Sequence, residues 1–329
     1  MKRDTFWDSL KFLLIFFVVY GHMMETYAPD GSYHRSMYNF IYAFHMPFFM
    51  FISGRFSQIQ NRKKYWNSNV KLFETYFIFQ AIRCLKDIYL NGHIDIVEGI
   101  LFPKGTLWYI AYLILYRIIV YTLPLDFWKK HISIILSISI GLAILWGFIP
   151  YATGQRFLVY LSYFFMGFLS FHVNFKYICQ RIPLYLAFAL LLTIVFIFFI
   201  HIDFNICYII YYNATYYRTD PYIPAAILCM ARCGSYLVFT ITSILLMRII
   251  LAWGCFPKYG RKTLFIYMYH TFFVLSLRLL IARGYIPENE VLLFIYSIAI
   301  ILVLVHLSNV KFFTILMNPF SSFYDKYIR

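Results

Sequence analysis

The sequence predicts an all-α, polytopic integral membrane protein of about ten transmembrane helices, both termini cytoplasmic, forming a single domain over residues 1–329. Three observations predict it. First, 62% of the residues are hydrophobic, 22% aromatic and only 13% charged, with a mean hydropathy of +0.69, well outside the range of soluble domains. Second, ten segments approach the roughly 20 apolar residues that cross a bilayer: residues 9–27, 38–56, 70–90, 107–123, 132–149, 157–173, 183–201, 225–251, 264–283 and 291–308. Third, the connections alternate in charge. Lys2 and Arg3, then Arg62, Lys63 and Lys64, Lys129 and Lys130, Lys176 and Arg181, Lys258, Arg261 and Lys262, and finally Lys311, Lys326 and Arg329 fall at every second boundary. Asp30, Asp95, Glu98, Asp203, Asp220, Glu288 and Glu290 fall at the others. Because cations accumulate on the cytoplasmic side, this alternation orients all ten segments at once.

Other classes are excluded on the same grounds. The first segment has polar interruptions and no small-residue cleavage site, so it is a retained helix rather than a signal peptide. The net charge of +15 is dispersed between apolar runs, and no basic face tracks phosphates, so no nucleic acid partner is expected. The six cysteines form no CxxC pair, and neither a disulfide framework nor a metal site is expected.

The first helix carries Asp8, Lys11 and His22 where lipid-facing residues belong. Ionisable groups in a transmembrane helix turn inward and are functional by default. Asp8 is three residues before Lys11 and can pair with it. Eleven residues at about 100° each return Lys11 and His22 to nearly one face, roughly 16 Å apart along the axis. In the predicted orientation Lys11 lies near the cytoplasmic end and His22 in the outer half. The second helix runs inward and brings His45 to a similar depth, so both imidazoles can face one cavity. Pro47 should kink that helix, and Ser53-Gly54-Arg55 ends it with a cation at the cytoplasmic edge.

Arg83, Arg117 and Arg232 fall inside predicted spans, at about 2.5 to 3.5 kcal/mol each in lipid. They are expected to line a polar pocket or form structural ion pairs, with Glu74 and Asp87 as partners. Arg156 sits at the outer interface or holds substrate. Trp108, with Tyr109, is an interfacial anchor or a ligand contact. His270 enters from the cytoplasmic side of the ninth segment and is a donor-side candidate. The connection over residues 202–224 is rich in tyrosine and contains a sequon at Asn213, reading as an interfacial belt or a wall for a sugar ring.

These residues resemble a known family. Arg3-Asp4, Phe6, Asp8, Leu10-Lys11-Phe12 and Val18 to His22, followed by Phe44-His45-Met46-Pro47-Phe48-Phe49 and Phe51-Ile52-Ser53-Gly54, look like the membrane-bound acyltransferase 3 family, in its branch of fucose 4-O-acetylase and related acetyltransferases. Later blocks over residues 105–109, 156–167 and 260–270 extend the likeness along the chain. The resemblance implies acetyl transfer from cytoplasmic acetyl-CoA to a hydroxyl of an extracytoplasmic or lipid-linked glycan. It implies a multi-pass protein of the cell membrane, in a bacterium the inner membrane, with membrane lipid and a glycan or glycolipid acceptor as partners. The family's Arg-x10-His pattern falls on Lys11 and His22, with Lys in place of Arg, which keeps the charge but not a bidentate contact. The family's Arg-x-x-Arg pair is replaced here by Arg62-Lys63-Lys64.

O-acetylation needs a base for the hydroxyl and stabilisation of a developing oxyanion. His22 is the expected base, with His45 beside it and Lys11 and Asp8 organising the inner end. Arg55, Arg62, Lys63, Lys64 and His270 are the expected CoA contacts; Arg83, Trp108, Arg156 and Arg232 are the expected substrate contacts. The alternative is a transporter that uses buried His, Arg and Lys as an ion or proton relay. Against it stands the absence of an inverted repeat with paired broken helices.

Overall fold

A computed structural model describes residues 4–25, 33–58, 61–92, 102–149, 154–201, 225–254 and 256–327. The tyrosine-rich connection and Asn213 lie outside the described residues. Within them the chain is helical, with no strand. In order the helices are α1 (Thr5–Met24), α2 (Tyr33–Arg55), α3 (Arg62–Asn91), α4 (Trp108–Tyr121), α5 (Leu125–Lys130), α6 (Ile132–Leu145), α7 (Gln155–Leu169) and α8 (Phe175–Gln180). They continue as α9 (Leu184–His201), α10 (Ala225–Trp253), α11 (Pro257–Gly260), α12 (Thr263–Ala282), α13 (Glu290–Leu307), α14 (Lys311–Met317) and α15 (Pro319–Tyr327). A helix of 14 residues or more underlies each of the ten apolar segments.

Local chemistry sets several boundaries. The Asp4 side chain accepts from the Phe6 amide at 3.0 Å and starts α1, and Asn61 does the same for Lys64 at 2.9 Å at the head of α3. Among the described residues four helices are long and apolar enough to cross a membrane by length and composition: Thr5–Met24, Ala226–Trp253, Thr263–Ala282 and Glu290–Leu307. Shorter apolar helices cover Gly105–Tyr121, Ile132–Phe148 and Leu184–Phe199. Large apolar side chains such as Ile138, Leu145, Leu192, Phe196 and Leu302 point outward and are exposed, as a bundle surrounded by hydrocarbon requires.

The polar helix α1 sits inside this shell, enclosed by α2, α10, α11, α12 and α13. Its Leu10, Leu14, Ile15, Val19, Met23 and Met24 are completely buried. Helices α2 and α7 meet most intimately. A Cβ on Gly54 would overlap the carbonyl oxygen of Phe164, and one on Gly167 would overlap that of Phe51. Small residues at a crossing let backbones touch where no hydrophobic effect drives helices together in lipid. Helix α2 remains helical through Pro47.

The acid expected to pair with a buried arginine, Glu74, is used elsewhere. It caps α15, accepting from the Phe320 and Ser321 amides and from Ser321 Oγ at 2.5 Å. A carboxylate is the natural partner for unsatisfied amides at a helix start. This pins the C-terminal amphipathic helix to α3. Asp87 pairs with Lys104 at 2.7 Å and Lys86 at 3.8 Å.

Candidate active site

Two cavities lie toward the two ends of the Lys11 to His22 interval. The first, about 650 Å³, is lined by His22, Glu25, Tyr42, His45, Arg83, Trp108, Arg156, Tyr160, Tyr267, Thr271 and Arg278 among others. The second, about 530 Å³, is lined by Lys11, Ser53, Lys71, Tyr109, Arg117, Arg261 and again Tyr267.

His22 is held at Nδ1 between Glu25 Oε2 at 3.4 Å and the Tyr42 hydroxyl at 3.3 Å, and Glu25 is itself paired with Arg278 at 3.5 Å. When Nδ1 carries its proton toward the carboxylate, Nε2 is left as a lone pair. That is the arrangement of an oriented general base. His45, only 1% exposed, donates from Nδ1 to the Ile41 carbonyl at 2.7 Å, which likewise leaves its Nε2 as the free ring position. The two histidines, from successive helices, line one cavity.

His270 departs from its expected place at the donor end. Its ring stacks on His22, with centroids 5.3 Å apart and planes at 29°, and its Nδ1 donates to the Tyr267 carbonyl at 2.7 Å. The reason is helical rise: seven residues into α12, at about 1.5 Å each, His270 has already climbed to the level of His22 on the adjoining α1.

Arg83 crosslinks three elements. It donates to the Lys104 carbonyl at 2.7 Å, to Thr106 Oγ1 at 2.8 Å and to Thr271 Oγ1 at 3.0 Å. Its approach requires Gly105, which has a φ of 53° and whose Cβ would overlap the guanidinium. Arg156 lies over the Trp108 ring at 5.1 Å, so Trp108 and Arg156 meet on the same wall. Arg232 does not join them. It is 1% exposed, buried in the seam of α7 and α10 within electrostatic reach of Tyr160 and Tyr236.

Lys11, on the lining of the second cavity, forms with Asp8 the pair expected from their spacing, at 2.7 Å. Arg261 reaches the other Asp8 oxygen at 3.7 Å. Arg117 is 6% exposed; its Nη1 donates to Ser68 Oγ at 3.1 Å and its plane lies over Tyr65 at 5.4 Å. Among the described residues its Nε and Nη2 have no hydrogen-bond partner. A buried cation with open donors is costly unless an anion completes it.

A third cavity of about 1090 Å³ adjoins the second, sharing Ser68 and Lys71, and is lined by Lys63 and Lys64. Arg62 is exposed at the start of α3. Arg55, expected among the donor contacts, is engaged with the protein. It donates to the Ser170 carbonyl and, at 3.1 Å, to the Val173 carbonyl, and is stacked against Trp7 and Phe175. It satisfies the carbonyls that the short turn after α7 leaves open.

Between the first two cavities stands Tyr267. Its hydroxyl donates to the Thr106 carbonyl, its ring meets Tyr109 at 5.1 Å, and the Tyr109 hydroxyl bonds Ser53 Oγ at 2.6 Å. Sequence reasoning passed over Glu25, Tyr42, Tyr267 and Arg278. An acid three residues after His22 was the one available signal, since i and i+3 share a helix face. Among the described residues no group of three His, Cys, Asp or Glu could hold a metal ion.

No curated protein and no solved structure matches the chain. A family model described as an acyltransferase domain matches residues 4–308. With nearly the whole helical core inside that match, the two-cavity bundle built around α1 belongs to the acyltransferase 3 family of membrane acyltransferases.

Proposed function

We propose that the protein is an O-acetyltransferase that takes acetyl from cytoplasmic acetyl-CoA in the Lys11 cavity. The acceptor is a hydroxyl of an extracytoplasmic or lipid-linked glycan in the His22 cavity. The observation that carries this reading is that Tyr267 lines both cavities, so one side chain separates a cationic chamber from one containing an oriented imidazole. Charge supports the donor side: Lys11, Lys71, Arg117 and Arg261 line the Lys11 cavity, and Lys63 and Lys64 extend it. Together they suit the phosphates of CoA. In this reading the thioester arm extends past Tyr267 toward His22, and the cytoplasmic placement follows the charge alternation of the connections.

The reaction follows from the His22 environment. His22 Nε2 takes the proton of the acceptor hydroxyl as its oxygen bonds to the thioester carbon. Glu25 holds the imidazolium that forms, and Arg156, on the lining of the same cavity, is the cation available to the oxyanion. Collapse breaks the carbon–sulfur bond, and the thiolate leaves with the proton returned by His22. The products are an acetyl ester and CoA.

The test uses the full chain in lipid nanodiscs with labelled acetyl-CoA and a glycan acceptor. The His22→Ala variant is expected to lose about 10²- to 10⁴-fold in kcat, the range for a general base, while its melting temperature and CoA binding are retained. A folded His22→Ala protein that still transfers label at the parental rate overturns the base assignment.

A further inference from the structure

The geometry points to an acceptor that carries a negative charge, a phosphate or a carboxylate, beside the hydroxyl that is acylated, with Arg83 as the group that reads it. This rests on the His22 cavity being the acceptor side. The described lining of that cavity holds five cations, Arg83, Lys86, Lys104, Arg156 and Arg278, against two carboxylates, Glu25 and Asp87. Both carboxylates already have cations: Glu25 is held by Arg278 at 3.5 Å, and Asp87 by Lys104 at 2.7 Å and Lys86 at 3.8 Å. That leaves Arg83 without either carboxylate as an ion-pair partner among the described residues.

Arg83 is the decisive member. All three of its hydrogen bonds go to neutral oxygens, the Lys104 carbonyl and the hydroxyls of Thr106 and Thr271; among the described residues it makes no ion pair, with Asp87 within electrostatic reach only. A guanidinium has five N–H donors in a planar fork, so these three bonds leave Nε–H and one Nη1–H for a ligand. The neutral bonds fix the plane without neutralising the charge, which suits a residue held ready for an anion. A merely structural arginine at this depth would be expected to carry its own carboxylate, and Asp87 on the next turn of α3 is instead held by lysines. A neutral sugar would leave the guanidinium uncompensated; an acidic sugar or a diphosphate-linked sugar would complete it.

The experiment compares three acceptors with the nanodisc-embedded full chain and labelled acetyl-CoA: a neutral oligosaccharide, its counterpart with one hexose replaced by a uronic acid, and the neutral sugar on a polyprenyl diphosphate. The expected result is that at least one charged acceptor exceeds the neutral one by about tenfold in kcat/KM, the size of one charge-assisted hydrogen bond, with the advantage shrinking as ionic strength rises. Which charged acceptor wins distinguishes a carboxylate of the glycan from the phosphate of a lipid carrier. Arg83→Gln is expected to abolish the advantage through the acceptor KM, leaving the KM for acetyl-CoA unchanged, and Arg83→Lys to restore part of it. A parental enzyme that uses the neutral acceptor as well as both charged ones overturns the inference, whether or not the variants fold. So does an Arg83→Gln enzyme weakened equally toward all three. Absence of transfer to every acceptor overturns the acetyl-transfer reading and this inference with it.

Discussion

The His22 and Lys11 cavities are similar in size, about 650 and 530 Å³, and each is lined by an arginine that makes no ion pair among the described residues, Arg83 in the first and Arg117 in the second. They differ in what surrounds that arginine. The first has imidazoles, one of them aligned by a carboxylate; the second is lined by lysines and arginines, two of which, Lys11 and Arg261, hold Asp8. A guanidinium occurs on both sides, and an imidazole aligned to accept a proton on one. In the proposed mechanism this difference is a division of labour, with cations distributed along α1 and proton transfer assigned to the end that carries His22.

Three substitutions break or sharpen this contrast. Arg117→Met is expected to raise the KM for acetyl-CoA by about 10- to 100-fold, the worth of a hydrogen bond to a charged group, with no change in acceptor KM. Because it removes a buried cation with open donors, it should not lower the melting temperature of the ligand-free protein. A change in acceptor KM instead would erase the distinction between the chambers. Glu25→Gln should reduce kcat by about tenfold, the lower end of the same range, while leaving donor affinity intact; steady-state kinetics at saturating donor checks it. Tyr267→Phe removes one neutral hydrogen bond, to the Thr106 carbonyl, worth about 0.5 to 1.5 kcal/mol. A change in kcat of a few-fold with both KM values steady is expected. If only the donor KM moved, Tyr267 would belong functionally to one chamber.

Much of this was readable in advance. The ten apolar segments each became a helix because hydrophobicity and backbone satisfaction in lipid are local requirements. Asp8 and Lys11 were readable as a pair because three residues on a helix fix their proximity, and Arg83 and Arg117 as pocket residues because a lipid-facing arginine is costly. Reasoning from single charges failed where the partner came from a distant segment. Arg55 at a helix end reads the same whether it awaits a phosphate or, as here, binds the Ser170 and Val173 carbonyls. Glu74 reads as an arginine partner until the C-terminal helix arrives to be capped. His270 reads as a donor-side group until α12 is laid beside α1.

The positions of the helices, the helices that carry charge, and the cation and imidazole on one face of α1 follow from the order of residues alone. They do so because hydropathy and the 3.6-residue period act along the chain. Which ionisable groups meet follows instead from how the helices pack. The pairing of Glu25 with Arg278, the stacking of His22 on His270, and the position of Tyr267 between two cavities depend on how helices remote in sequence pack. Nothing along the chain encodes that packing one residue at a time, since close approach of helices is set by the joint shape of their surfaces.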